Sequence, residues 1–318
     1  MQNVIQVALY IIKVIYMKKS KSNLGSQAYE NVGYLFILPA VVFMIAFVGY
    51  PILYNIILSF QHVDLMALSS GVRESVGLRN YMDLFNNPVL KIALWNTFFF
   101  SVMCIALQFT IGFAFALFFN LDFKFSKPIR GLIMVAWLIP MTITALNFKF
   151  MFSLKGGIIN ELLMTLGIIQ NPIEWLIGSK SAMWSLIITN VWIGIPFNMI
   201  LLVTGLSTVP SSIYESASID GANWLQKLFY ITIPSIKTSI LAVITLGFIY
   251  TFKVFDLVFL MTNGGPINAT EVLSTLAYRY SFDQFNFSMG AAAANILCLI
   301  LLAISIIYIK LIKEDEVM

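Results

Sequence analysis

The chain is poor in charge. Lysine, arginine, aspartate and glutamate together make up 11% of its 318 residues, and histidine occurs once, as His62. Mean hydropathy is +0.88. A soluble domain of this length needs far more polar surface than that. One histidine excludes a histidine-based metal site or proton-relay cluster. The two cysteines, Cys104 and Cys298, lie within apolar runs and have neither metal-ligand spacing nor a disulfide framework. The phosphate-cradling pattern G-x-x-x-x-G-K-[ST] does not occur. Gly178-Ser179-Lys180-Ser181 is a fragment that lacks the upstream glycine. No Ser/His or Cys/His arrangement offers a nucleophile with a base, so hydrolytic chemistry has no residues to run on. The net charge of +4 calls for no nucleic acid.

Long apolar runs are what the chain has in abundance. They come in blocks of about 20 residues or more, the length that crosses a bilayer as a helix. A membrane barrel would show shorter alternating segments instead. The expected fold is therefore all-α, a polytopic membrane protein with six spans at 33–60, 93–119, 129–153, 182–206, 236–260 and 287–309. Pro39, Pro51, Pro140 and Pro196 fall inside spans, where bent helices either enclose a cavity or simply pack with kinks. Residues 1–32 form an N-terminal cytoplasmic segment. Within it, 1–16 lack the pattern of a signal peptide, and Met17-Lys18-Lys19-Ser20-Lys21 reads as a natural start, the alternative being a short interfacial helix. Residues 33–309 are the membrane domain and 310–318 a cytoplasmic tail.

The cations set the orientation. Lys18, Lys19 and Lys21 precede the first span, Lys124, Lys127 and Arg130 crowd the second loop, Lys227 and Lys237 sit in the fourth, and Lys310 and Lys313 follow the last span. The opposite loops carry fewer cations per residue and mix them with acids. Both termini and the loop around Glu215 are thus expected in the cytoplasm of a multi-pass cell-membrane protein. On the outer side, an amphipathic helix opens at Gly156-Gly157 and is expected to stop at Asn171-Pro172.

A polar island of small residues separates the fourth and fifth runs at about 207–235. Ser212 with Glu215 fits a capping box, Gly221 suits a left-handed helix end, and Asn223 with Gln226 fits a second capping box. This predicts helix–turn–helix with little side-chain bulk at the bend, where another backbone can approach. The bland alternative is a loop that merely caps two membrane helices.

The identity of the island's residues goes further. Glu215-Ser216-Ala217, Asp220-Gly221-Ala222 and Ile231-Thr232-Ile233-Pro234 resemble the EAA loop of binding-protein-dependent ABC importer permeases. The likeness is to the carbohydrate-uptake branch, with the maltose and glycerol-phosphate permeases. Leu38-Pro39-Ala40, Tyr50-Pro51-Ile52, Gly77-Leu78-Arg79-Asn80-Tyr81, Trp192-Ile193-Gly194-Ile195-Pro196-Phe197, Phe255-Asp256 and Thr262-Asn263-Gly264-Gly265-Pro266 are similar to that branch in the same order. Ser216 replaces a usual alanine. Thr238 stands where a second proline is frequent, which predicts a straighter start to the fifth span.

The resemblance implies a type I ABC importer permease fold. It implies that Glu215, Ser216, Ala217, Asp220, Gly221 and Ala222 dock on a separate ATP-hydrolysing subunit. This chain then binds no cofactor and is no enzyme; ATP and magnesium are used by the partner ATPase subunits. A second permease, an extracellular solute-binding protein and membrane lipid complete the expected partners. The region around Gly264-Gly265-Pro266 would help receive the binding protein.

For a substrate pathway the chain offers few groups. Lys149, Lys253 and Asp256 are the ionisable residues nearest the bilayer interior. Lys253 and Asp256, three apart, are expected to share a helix face. Asn190, Asn198 and Asn295 supply amides that bind hydroxyls or join helices. Trp192, Phe197 and Phe255 supply aromatic faces that stack on sugar or pack on neighbours. Gly290 and Ala291–Ala294 read as a close helix contact. A self-sufficient ion-coupled carrier is the alternative, although the spans hold few acids for coupling.

Overall fold

A computed structural model describes residues 34, 36–121 and 123–316, with side chains described through Lys310. The expectations for residues 1–32, among them a start at Met17 and the cations Lys18, Lys19 and Lys21, lie outside the described residues, as does the side chain of Lys313.

Among the described residues the regular structure is helical apart from one ribbon of two two-residue strands, with turns and loops between the helices. Four helices are long and apolar enough to cross a membrane. They are α1 (Phe36–Ser59), α4 (Pro88–Phe119), α8 (Ser181–Leu206) and the apolar part, Phe287–Lys310, of α14 (Phe287–Glu316). Two bent pairs bring the number to six if each is one span. These are α5 (Ser126–Leu138) with α6 (Met141–Met151), bent by 90°, and α10 (Trp224–Ser235) with α11 (Lys237–Phe252), bent by 71°. Between them lie α2 (Leu65–Ser70), α3 (Arg79–Asn86), α7 (Ile158–Thr165), α9 (Ser211–Ile219), α12 (Asp256–Met261) and α13 (Leu273–Tyr278). Strands β1 (Gln61–His62) and β2 (Glu74–Ser75) pair antiparallel.

The core is built on α4 and α8. Asn87 caps α4 by accepting from the Val89 N–H at 2.9 Å, and Pro88 opens its first turn. Ala93, Thr97, Phe100, Cys104, Gln108, Gly112, Ala116 and Phe119 are buried at spacings of three and four, so one stripe of α4 faces inward. This stripe packs against α8 through small residues. A Cβ added at Gly112 would meet the Asn198 Cβ at 2.7 Å, and one at Gly194 would strike the Gln108 amide. Gln108 lies level with Asn190 and Gly112 with Asn198, so the two helices run parallel. Lipid tails are as apolar as leucine, so such backbone approach is what holds spans together. Gly112→Ala is expected to lower the detergent melting temperature, because overpacking by about 1–3 kcal/mol exceeds the ~1 kcal/mol helix-propensity gain. A melting temperature at or above the parent's would contradict that packing.

Several local expectations need correction. The third span breaks at Ile139, the C-cap of α5, because Pro140 disfavours helical geometry in the residue before it. The fifth span does not start straight. A π turn at Leu228–Thr232 runs into Pro234, and the chain leaves helical geometry at Ile236, with φ −106° and ψ 18°. Pro234 lacks an N–H and crowds the carbonyl four residues back, which accounts for the widened turn ahead of it without a second proline. The outer helix α7 stops at Thr165 rather than Asn171, since Gly167 turns left-handed at φ +69°. Lys253 and Asp256 do not share a helix. α11 ends at Phe252 and α12 begins at Asp256, with Lys253 as the C-cap of α11.

Candidate coupling loop and central cavity

Residues 207–235 fold as helix, bend and helix. Pro210 is the N-cap of α9 and has extended geometry, with φ −62° and ψ 136°. That places Ser212 inside the first turn, so the expected Ser212–Glu215 capping box does not form. Ser212 instead offers its carbonyl to the Ser216 hydroxyl at 3.0 Å. The exit from α9 is a Schellman motif. Gly221 sits at φ +78°, the Ala222 N–H donates to the Ala217 carbonyl at 2.9 Å, and the Gly221 N–H donates to the Ser218 carbonyl at 3.2 Å. The second capping box forms as expected. The Gln226 N–H donates to Asn223 Oδ1 at 2.9 Å, and Gln226 Oε1 accepts from the Asn223 N–H at 2.8 Å.

Side-chain bonds then fix the angle between the two helices. Tyr214 and Thr232 share a hydroxyl bond of 3.0 Å, and Lys227 Nζ donates to the Ser218 hydroxyl at 2.6 Å. Glu215, Ser216, Asp220 and Gly221 are exposed on the outer rim, while Ala217 and Ala222 are half-buried at the bend. Ile219 at 87% and Tyr230 at 80% exposure leave apolar surface beside the polar rim. Within this chain nothing lies within 4 Å of a Cβ added at Gly221. Its requirement is therefore the backbone angle, and the chain itself supplies no steric neighbour.

Away from this loop, a cavity of 510 Å³ opens among α4, α5, α6, α8 and α11. Six of the eight expected pathway residues line it: Asn190, Phe197, Asn198, Lys253, Phe255 and Asp256. Its polar wall is an amide ladder. Gln108 Nε2 donates to the Asn190 carbonyl at 3.0 Å and to Asn190 Oδ1 at 2.7 Å. Farther along α8, Asn198 Nδ2 donates to the Gly194 carbonyl at 2.8 Å. The aromatic wall is Trp137 stacked on Phe197 at 5.7 Å, with Tyr250 edge-on to Phe197 at 6.2 Å. Lys253 Nζ lies 5.2 Å from the Tyr250 ring centre. Amides that bind hydroxyls facing rings that stack on C–H surfaces make a wall suited to a polyhydroxylated solute.

Two expected pathway residues lie elsewhere. Trp192 packs on Phe148 at 5.5 Å and is absent from the cavity wall. Asn295 ties helices together: it accepts from Asn55 at 2.7 Å and donates to Ser59 at 3.0 Å and to Tyr81 at 3.1 Å. Lys149 donates to the Leu260 carbonyl at 2.7 Å, near the end of α12.

Residues 108–313 match the family described as binding-protein-dependent transport system inner membrane component. The chain belongs to that family. Relatives align along nearly its whole length. The trehalose/maltose transport system permease protein MalF of Thermococcus litoralis is 30% identical over 280 residues, covering 88% of this chain and 93% of MalF. The probable ABC transporter permease protein YurN of Bacillus subtilis is 33% identical, covering 89% and 96%. A chain from the solved structure of a bacterial ABC transporter involved in the import of the acidic polysaccharide alginate superposes with a TM-score of 0.76 at 20% identity, over 91% of this chain and 98% of that one. This is the fold of a type I ABC importer permease, and a self-sufficient ion-coupled carrier is not what these likenesses support.

The permease also places polar and aromatic side chains in its interior that the sequence patterns did not single out. Gln108, Trp137, Tyr250 and Thr251 all line the cavity. Gln108 carried a usable signal, since an amide inside an apolar span rarely faces lipid. A second omission is Glu271, fully buried and ion-paired with Arg279, in the loop after α12. Glu271 Oε1 also accepts from the Thr275 hydroxyl at 2.8 Å, and Arg279 Nη1 donates to Asn268 Oδ1 at 2.8 Å.

Proposed function

We propose that this permease forms one membrane-spanning half of an ATP-driven importer for a saccharide or similar polyhydroxylated solute. Its partners are a second, related permease, two ATPase subunits that use ATP and magnesium, and an extracellular solute-binding protein. Both termini and loop 207–235 face the cytoplasm, and Glu215, Ser216, Ala217, Asp220, Gly221 and Ala222 meet the ATPase. The cavity between α4, α8 and α11 is this subunit's share of the solute path. The loop centred on Gly264-Gly265-Pro266, at the opposite end of the bundle, receives the binding protein. The named sugar-transport relatives support the solute class.

One observation carries the reading. The exposed bend at Gly221 connects directly to the cavity walls: α8 leads into it, and α10 passes through a 71° break into α11. Force applied at the bend therefore has a continuous covalent route to Asn198 and, past Pro196, to Asn190 along α8, and to Tyr250 through the angled α10–α11 pair.

Gln108→Leu tests the pathway. It removes the donor to Asn190 while keeping nearly the same volume, and leaves a polar atom in the wall unpaired. Uptake by the assembled transporter should fall by about tenfold, the equivalent of ~1.4 kcal/mol. Nucleotide hydrolysis and subunit assembly should persist. Unchanged uptake would remove the amide ladder from the solute path.

A further inference from the structure

A second cavity, of 660 Å³, lies between α4, α11 and α14, outside the solute path. Its wall is almost wholly apolar: Leu94, Trp95 and Phe98 on α4, Phe248 and Phe252 on α11, and Ile300 and Ile304 on α14. One charge, Lys91, stands on its rim. Lys91 makes no ion pair with a described residue. It lies in the first turn of α4, at the end of the bundle opposite loop 207–235, because α4 and α8 run parallel and α8 leads into that loop.

The arrangement has a direction. Lys91, Leu94, Trp95 and Phe98 follow one face of α4 at spacings of three and four. From Lys91 to Phe98 the helix rises about 10 Å. Trp95, 65% exposed, sits one turn below the cation, the order of charge and tryptophan found where a span enters the headgroup layer. The stacked rings of Phe248 and Phe252, 5.2 Å apart, wall the groove on α11.

We infer that this groove is a binding site for one anionic phospholipid, with the phosphate at Lys91 and an acyl chain along Trp95, Phe98, Phe248 and Ile304. Charge decides between the occupants that an apolar groove admits. An apolar helix of another subunit would desolvate Lys91 without a counter-charge, whereas a lipid phosphate pairs with it while the acyl chain fills the cleft. The site has a functional lever. α11 presents Phe248 and Phe252 to this groove, and Gly247, Tyr250 and Thr251 to the central cavity. An occupied groove therefore braces the helix that forms the cavity wall.

The test uses the full-length chain purified within its membrane complex and exchanged into nanodiscs of phosphatidylcholine with phosphatidylglycerol. Native mass spectrometry counts the lipid retained after detergent release. The parent should retain phosphatidylglycerol about fivefold over phosphatidylcholine, the factor one lysine contributes at an anionic surface. Lys91→Gln should abolish the preference and Lys91→Arg should keep it. Ile300→Trp, which fills the groove, should lose the lipid whatever its headgroup. Equal retention of the two lipids by the parent would overturn the inference, as would a preference untouched by Lys91→Gln. A photo-crosslinker at Phe98 that captures another protein subunit rather than lipid would also overturn it.

Discussion

Arg279→Met is expected to destabilise the permease by about 3–5 kcal/mol. Glu271 is fully buried, and Arg279 supplies its counter-charge. The loop around it has no freedom to expel the carboxylate. Asn96 Nδ2 donates to the carbonyls of Asn268, Ala269 and Glu271 at 3.2, 3.1 and 3.0 Å, and the Leu273 N–H donates to the Thr97 hydroxyl at 2.9 Å. Gly264 lies against the carboxylate so closely that any Cβ there would strike it. Removing the guanidinium thus strands a charge in a site that cannot open. The double variant Glu271→Gln with Arg279→Met should recover most of the loss, since a neutral pair carries no such penalty. Thermal denaturation in detergent measures both, and a double variant no more stable than the single one would refute this account of the loop.

The pH dependence follows from the same burial. Desolvation raises the Glu271 pKa, with the Thr275 hydrogen bond and the Arg279 charge pulling it partly back. A raised folded value means that the folded state holds the proton more tightly. The associated stability is then fully present below the unfolded carboxylate value and is lost as pH rises through the folded one. In Arg279→Met that folded value rises further. The variant's deficit should therefore be smallest in acid and grow towards neutral pH.

Gly221→Val carries the largest expected effect on transport. At φ +78° a β-branched residue is strained by roughly 1–2 kcal/mol. No atom of this chain crowds the new side chain, so insertion and overall fold should survive. The Schellman exit, however, would give way and the α9–α10 angle with it. Uptake is expected to drop by at least about tenfold, equivalent to ~1.4 kcal/mol of lost coupling. Gly221→Asn, which tolerates the left-handed conformation, should retain far more activity than Val. Uptake assays at matched expression decide this. Parent-like transport by Gly221→Val would mean that the bend's geometry is irrelevant.

Much of this architecture was legible because a bilayer imposes simple rules. Apolar run length located α1, α4, α8 and α14, and the small residues around Gly221 gave the helical bend and its left-handed exit. What escaped was where competing local rules met. Ser212 had the right chemistry for an N-cap, but Pro210 broke the chain two residues earlier. The fifth span, 236–260, read as one apolar stretch, yet the break at Lys253 divides it, and Pro234 and Ile236 bend the chain at its start. Asn190 and Asn295 looked alike in sequence. Only packing separates the first, on the cavity wall, from the second, clamped among Asn55, Ser59 and Tyr81. The Glu271–Arg279 pair was hidden because residues eight apart across a turn leave no periodic signature.

The central claim is that the bend at 217–222 lies on the cytoplasmic side against an ATP-hydrolysing subunit. Asp220→Cys, in a chain carrying Cys298→Ser so that buried Cys104 is its only other thiol, tests it most directly. In inside-out vesicles the new thiol should react with a membrane-impermeant maleimide, be protected once the ATPase subunits are bound, and cross-link to their lysines through a bifunctional maleimide–succinimidyl ester. Labelling of that thiol from the outside of intact cells, with no protection by the ATPase, would contradict the account.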